Sequence, residues 1–121
     1  MSRMHTRDMR CCINPQSTNM KILSYNISWS KQFKIDWLFR HKDTSAFVVP
    51  ECGNANNIVV PDGYHFYWVG NYDIKGLGVF VSNKHKHEIP SWANNNLNFA
   101  IPVILDDEYL LLAVWPTKVK D

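Results

Sequence analysis

Met20-Lys21-Ile22-Leu23-Ser24-Tyr25-Asn26 and, one helix length later, Ala46-Phe47-Val48-Val49-Pro50-Glu51 decide how this chain folds. Each is a short β-prone run that delivers one polar residue, Asn26 or Glu51, where the chain leaves the apolar interior. Between them Ser28 and Ser30 offer helix-cap oxygens, and Phe33, Trp37 and Leu38 recur at helical spacing among Lys31, Lys34, Arg40 and Lys42. The pattern predicts an amphipathic helix over 31–42, ended by Asp43-Thr44-Ser45. A strand, a right-handed crossover helix and a second strand make a parallel pair whose C-terminal ends share one edge of the sheet. Open α/β sheets hold their ligands at that edge. A carboxamide and a carboxylate there make half of a site for a hard divalent cation, which prefers oxygen ligands and often uses only one or two carboxylates.

Working outward, Gly53-Asn54-Ala55-Asn56-Asn57 is a polar loop and Pro61-Asp62-Gly63 a turn signature. Strands are predicted near 20–27, 46–50, 65–69, 77–82, 97–105 and 109–115. Together with the helix they predict an α/β (α+β) fold built on one mixed sheet. Tyr109 to Trp115 is apolar at nearly every position, which predicts a strand covered on both faces. Asp106-Asp107-Glu108 resembles a metal cluster in composition but sits between two apolar runs, as an acidic hairpin turn does. Lys84-His85-Lys86-His87 is a cationic run that reads as a solvated loop or edge strand, with the steering of a phosphate-rich substrate as the alternative. The isolated Gly76-Leu77-Gly78 has no helix after it, which rules out a dinucleotide fingerprint.

The chain has 121 residues and a net charge of +2, enough for one core and too weakly basic to establish a nucleic-acid partner by charge alone. Five Trp, five Tyr and six Phe are expected chiefly in the core. Three cysteines, Cys11, Cys12 and Cys52, are odd in number and lack thiolate-metal spacing, which points to a reducing, cytoplasmic setting. Cys52 beside Glu51 raises a nucleophilic role, but no His base is aimed at it by any motif. No apolar run reaches transmembrane length, so no membrane partner is expected. Residues 1–19 are polar, basic and aperiodic, and precede a second methionine at the first strand. They are expected to be a disordered extension or the product of a start codon set ahead of Met20; a basic arm on nucleic acid is the alternative.

The segment LSYNISWS resembles the first motif of the endonuclease/exonuclease/phosphatase family, the deoxyribonuclease-I-like metal-dependent phosphodiesterases. The resemblance implies that Asn26 contacts the metal or scissile phosphate. FVVPECGN resembles the second motif, which implies that Glu51 is the principal metal ligand, with Mg²⁺ or Mn²⁺ as the cofactor. KGLGVFVSN and YLLLAVWPTK resemble the next two strands, and the likeness covers residues 20–118. It implies substrate contacts at Asn54 and Trp115, although Trp115 or Thr117 stands where many members have a His or Tyr. It also implies a four-layer αββα sandwich of which residues 20–121 form the N-terminal half. The family's Asp-x-Asn and Asp-His motifs are absent, since no Asp here precedes Asn by two positions or His by one.

These expectations describe a metal-dependent, nuclease-like phosphodiester hydrolase truncated before part of its active site. The alternatives are a catalytically inactive module that binds nucleic acid or another phosphoester, using Trp68, Tyr72 and the Lys75 to Lys86 region, or an inactive fragment. In each case the inner face of the sheet is expected to be exposed, or covered by a missing C-terminal half or a homo-oligomer.

Overall fold

The computed structural model describes residues 4–9, 20–26, 32–41, 43–72, 75–93 and 100–115. Its strands are β1 (Met4–Met9), β2 (Met20–Tyr25), β3 (Ala46–Cys52), β4 (Tyr64–Tyr72), β5 (Lys75–Ser82), β6 (His87–Glu88), β7 (Ala100–Leu105) and β8 (Tyr109–Val114), with the helix α1 (Gln32–Leu38) between β2 and β3. They form two sheets, a five-stranded one in the order β1-β2-β3-β5-β4 and a three-stranded one in the order β6-β7-β8.

This corrects the expected α/β architecture of one mixed sheet carrying a long helix, half of an αββα sandwich. The protein is mostly β, and α1, the one helix among the described residues, has seven residues. The helix stops early because its last turn tightens: Arg40 N–H donates to Trp37 O at 3.2 Å and His41 N–H to Leu38 O at 3.2 Å, bonds that span three residues. That turn swings Phe39 inward, edge-on to Phe80 and Tyr64 and 4.3 Å, ring to ring, from Phe47. Residues 4–9, inside the segment expected to be disordered or mis-started, form β1, antiparallel to β2. Cys11 and Cys12 lie outside the described residues.

Alternation along the strands gives the five-stranded sheet two buried faces. Leu23, Phe47, Val49, Cys52 and Phe80 pack with Ile35 and Leu38 of α1 and with Ile58 on one side. Met20, Val48, Leu77, Val79 and Val81 pack with Ile101, Val103, Leu105 and Ala113 of the three-stranded sheet on the other. The inner face is therefore covered by the chain's own second sheet. β8 is an edge strand, contrary to the expectation of cover on both faces: Ala113 and Leu111 face the core while Leu110, Leu112 and Val114 are exposed. A run that is apolar throughout carries no sign of which face lacks a neighbour.

The acidic turn joins β7 to β8. Asp106 and Asp107 both have positive φ, 55° and 56°, and Glu108 N–H donates to Leu105 O at 3.0 Å, the geometry of a tight hairpin of mirror-image type. Among the described residues no helix is long and apolar enough to cross a membrane.

Candidate functional site

β2 and β3 run parallel in the register Ile22↔Ala46, Leu23↔Phe47, Ser24↔Val48. Carried on by two residues, that register sets Asn26 level with Pro50, next to Glu51. Adjacent strands lie about 4.8 Å apart, so both residues leave the sheet on the same rim. Asn26 and Glu51 are each partly exposed there.

Glu51 occupies an unusual backbone. Pro50 pairs with Leu77 and Cys52 with Gly76, so Glu51 is an extra residue that the partner strand does not match. It forms a bulge with φ of 60°, in the left-handed region. The other positive-φ side chains, Asp43, Asp106 and Asp107, are aspartates in turns, where that conformation is readily tolerated; Glu51 alone among them belongs to a strand. A bulge re-aims its side chain, and left-handed non-glycine residues cluster at functional sites. No sequence pattern announced this, because glutamate is a poor marker of left-handed backbone.

Trp68 braces the bulge from β4. Its indole N–H donates to the Cys52 carbonyl at 2.8 Å, and its ring lies over Gly70 and Gly76 so closely that a Cβ on Gly76 would stand 2.5 Å from Cζ2. The absent Cβ at Gly76 is what lets the indole reach Cys52. Trp68 thus works within the fold; Tyr72 and Lys75 lie on strands but their side chains are outside the described set. Cys52 is buried, and burial pushes its thiol pKa up to about 12, so it stays protonated at neutral pH and serves as packing rather than as a nucleophile.

The loop after Glu51 is tied to α1. Gln32 accepts a bond from Val59 N–H at 2.8 Å and donates to Val59 O at 3.3 Å. Asn54 Oδ1 accepts from Asn56 N–H and from Asn57 Nδ2, both at 3.0 Å, so this oxygen shapes the loop. Trp115 follows β8 in the other sheet and packs against the inter-sheet core. The parallel pairing puts Asn26 and Glu51 on one rim, while Asn54 bonds within its own loop and Trp115 packs against the inter-sheet core.

A second polar constellation, unread in the sequence, links the two sheets. Tyr67 Oη lies 2.7 Å from His87 Nδ1, and His87 Nε2 lies 3.1 Å from Asn83 Oδ1. The His65 ring lies 5.2 Å from that of His87, tilted by 36°. His85 meets Asp106 at 2.7 Å, and Lys86 Nζ donates to Asp107 at 2.7 Å. The cationic run and the acidic turn, each read alone as solvated, therefore pair across space. Burial, then the neighbouring His65 and His85, lower the pKa of His87. Burial and then Glu88 raise that of Tyr67, so the pair is neutral near pH 7.

No family model, curated protein or solved structure matches this chain. Its chemistry is therefore read from the rim itself. Among the described residues no three His, Cys, Asp or Glu side chains converge on a point where a metal could sit. A Mg²⁺-type ion keeps several waters and takes one or two carboxylates plus substrate phosphate oxygens. Asn26 and Glu51 offer hard oxygen donors of that kind.

Proposed function

We propose that Asn26 and Glu51 hold Mg²⁺ or Mn²⁺ and, through it, a phosphodiester, as the metal-holding part of a nuclease-like phosphodiester hydrolase site. The observation that carries this is the left-handed bulge at Glu51, on the same rim as Asn26 and beside a parallel strand. The motifs around both residues, which resemble those of the endonuclease/exonuclease/phosphatase family, support the same reading. A divalent cation bound there polarises a phosphate oxygen and neutralises its charge. Glu51 supplies the anionic ligand, and Asn26 offers either its carbonyl oxygen to the metal or its amide hydrogens to a phosphate oxygen. Trp68 keeps Glu51 aimed through the Cys52 carbonyl.

Hydrolysis also needs a positioned base, worth typically ~10²–10⁴-fold in rate. That the sequence holds neither the Asp-x-Asn nor the Asp-His motif favours, as a second reading, a module that binds a phosphodiester without turnover. Both readings suit a reducing, cytoplasmic setting in which Cys52 remains a thiol.

The test is binding and cleavage of a fluorescently labelled oligonucleotide by the chain with Mg²⁺ and with EDTA, repeated on Glu51→Gln. A gain in affinity on adding Mg²⁺ that disappears in Glu51→Gln supports the site, and cleavage alongside it selects the hydrolase. Affinity or cleavage indifferent to both Mg²⁺ and Glu51→Gln overturns the proposal.

A further inference from the structure

The amphipathic reading of 31–42 assigned Phe33 and Trp37 to the core, and the structure turns both outward. Ile35 and Leu38 are the buried residues of α1, while Phe33 is 66% exposed and Trp37 37% exposed. The exposed Trp37 is held in place by two other rings. Tyr25, the last residue of β2, stands 5.2 Å from it at a 47° tilt, and His41 meets it edge-on at 5.4 Å. Phe33 precedes Trp37 by four positions, one turn earlier on the same side of the helix. An indole fixed by its neighbours and still more than a third open to solvent has little rotamer freedom left to lose when something stacks on it.

The charge of this stretch is predominantly positive. Lys34 and Arg40 belong to this helix and its final turn, and Asp36, its acid, accepts a hydrogen bond from Gln32 Nε2 at 3.0 Å. Across residues 31–42 the sequence has four Lys or Arg against Asp36 alone, a surplus of three in a chain whose net charge is +2. Aromatic faces set among cations match a polyanion that carries flat rings. The spacing selects its form: four helical residues advance about 6 Å, against 3.4 Å between bases stacked in a duplex strand. Two rings so separated suit bases already unstacked from one another. A membrane-surface helix would turn its aliphatic face to lipid, whereas here Ile35 and Leu38 are inside.

We propose that Phe33 and Trp37, with Tyr25 and His41 bracing the indole, form a stacking platform for the bases of single-stranded nucleic acid, with Lys34 and Arg40 meeting its phosphates. The inference deepens the phosphodiester reading, since Tyr25 directly precedes Asn26 in the chain and a strand stacked on Trp37 is led toward the rim. It names unpaired nucleic acid as the substrate class of that site.

The experiment is fluorescence anisotropy with a labelled 20-nucleotide oligo(dT) and an abasic strand of equal length, in EDTA and low salt. EDTA takes the metal site out of the measurement, so this outcome is independent of whether Asn26 and Glu51 bind a cation. The expected result is oligo(dT) held at least tenfold tighter than the abasic strand. Trp37→Ala and Phe33→Ala are each expected to weaken oligo(dT) by roughly tenfold while leaving the abasic strand unaffected. Phe33 is exposed enough that its variant keeps the fold, which circular dichroism checks for both. Equal affinity for the two strands, or no loss in either variant, overturns the proposal. Tighter binding to phosphatidylserine vesicles than to oligo(dT), lost in Trp37→Ala, overturns it in favour of a membrane surface.

Discussion

Replacing Glu51 with glycine and, separately, with alanine isolates the backbone conformation on which the rim depends. Both variants delete the carboxylate and all its contacts, and they differ only by a Cβ. At φ of 60° that Cβ crowds the following carbonyl and costs about 1–2 kcal/mol. Against this, glycine loses more freedom on folding than alanine, by about 0.5–1 kcal/mol. The balance puts Glu51→Gly above Glu51→Ala in stability by about 0.5–1 kcal/mol. At an ordinary strand position the order reverses, with alanine ahead by about 0.5–1 kcal/mol. Urea unfolding followed by tryptophan fluorescence reads the difference: with a slope of about 2 kcal/mol/M the glycine midpoint lies ~0.25–0.5 M higher. Both variants are expected to lose divalent-cation binding, so they differ in stability and not in function. An alanine variant at least as stable as the glycine one would refute the bulge, and with it the reason Glu51 is aimed off the sheet.

Gly76→Ala forces a Cβ against the Trp68 ring and the backbone carbonyl of Val69, and is expected to destabilise by about 1–3 kcal/mol; an unchanged urea midpoint would show that the indole does not lie there. Trp68→Phe keeps the ring and loses the bond to the Cys52 carbonyl, a loss of about 1 kcal/mol, with weaker Mg²⁺ affinity as the bulge relaxes. Since burial first, then His65 and His85, lower the pKa of His87 in the folded state, its neutral form contributes stability that is complete above its unfolded value of about 6.5 and is lost as pH falls through the folded one. The urea midpoint is therefore expected to fall between pH 7 and pH 5, and to fall less in His87→Gln; equal declines in both proteins would remove His87 from the account.

Much of the rim was legible because it depends on local signals. Two β-prone runs, a helical spacing between them and one polar residue at each run's end were enough to anticipate β2, a helix at α1, β3 and the parallel pairing that puts both strand ends on one edge. What escaped depends on partners distant in sequence. The split into two sheets was hidden because β7 and β8 carry the same apolar alphabet as β3 and β5, and composition does not say which strand a strand will pair with. Phe33 and Trp37 were misassigned because Ile35, Leu38 and the inward-turning Phe39 offered an equally apolar face, and helical periodicity alone did not choose between them. Lys86 and Asp107 lie 21 residues apart, so their pairing, like that of His85 with Asp106, emerged only when the β7–β8 turn came back beside β6. The bulge at Glu51 lies beside Gly76, which admits the Trp68 ring, an arrangement of three strands that no single segment displays.

The most direct measurement is the location of a bound paramagnetic ion. Mn²⁺ titrated into isotopically labelled protein broadens the amide signals of residues near it. The account predicts selective broadening of Tyr25, Asn26, Cys52 and Gly53, reversed by excess Mg²⁺ and absent in Glu51→Gln. Broadening centred instead on Asp106 to Glu108, or unchanged in Glu51→Gln, would contradict it.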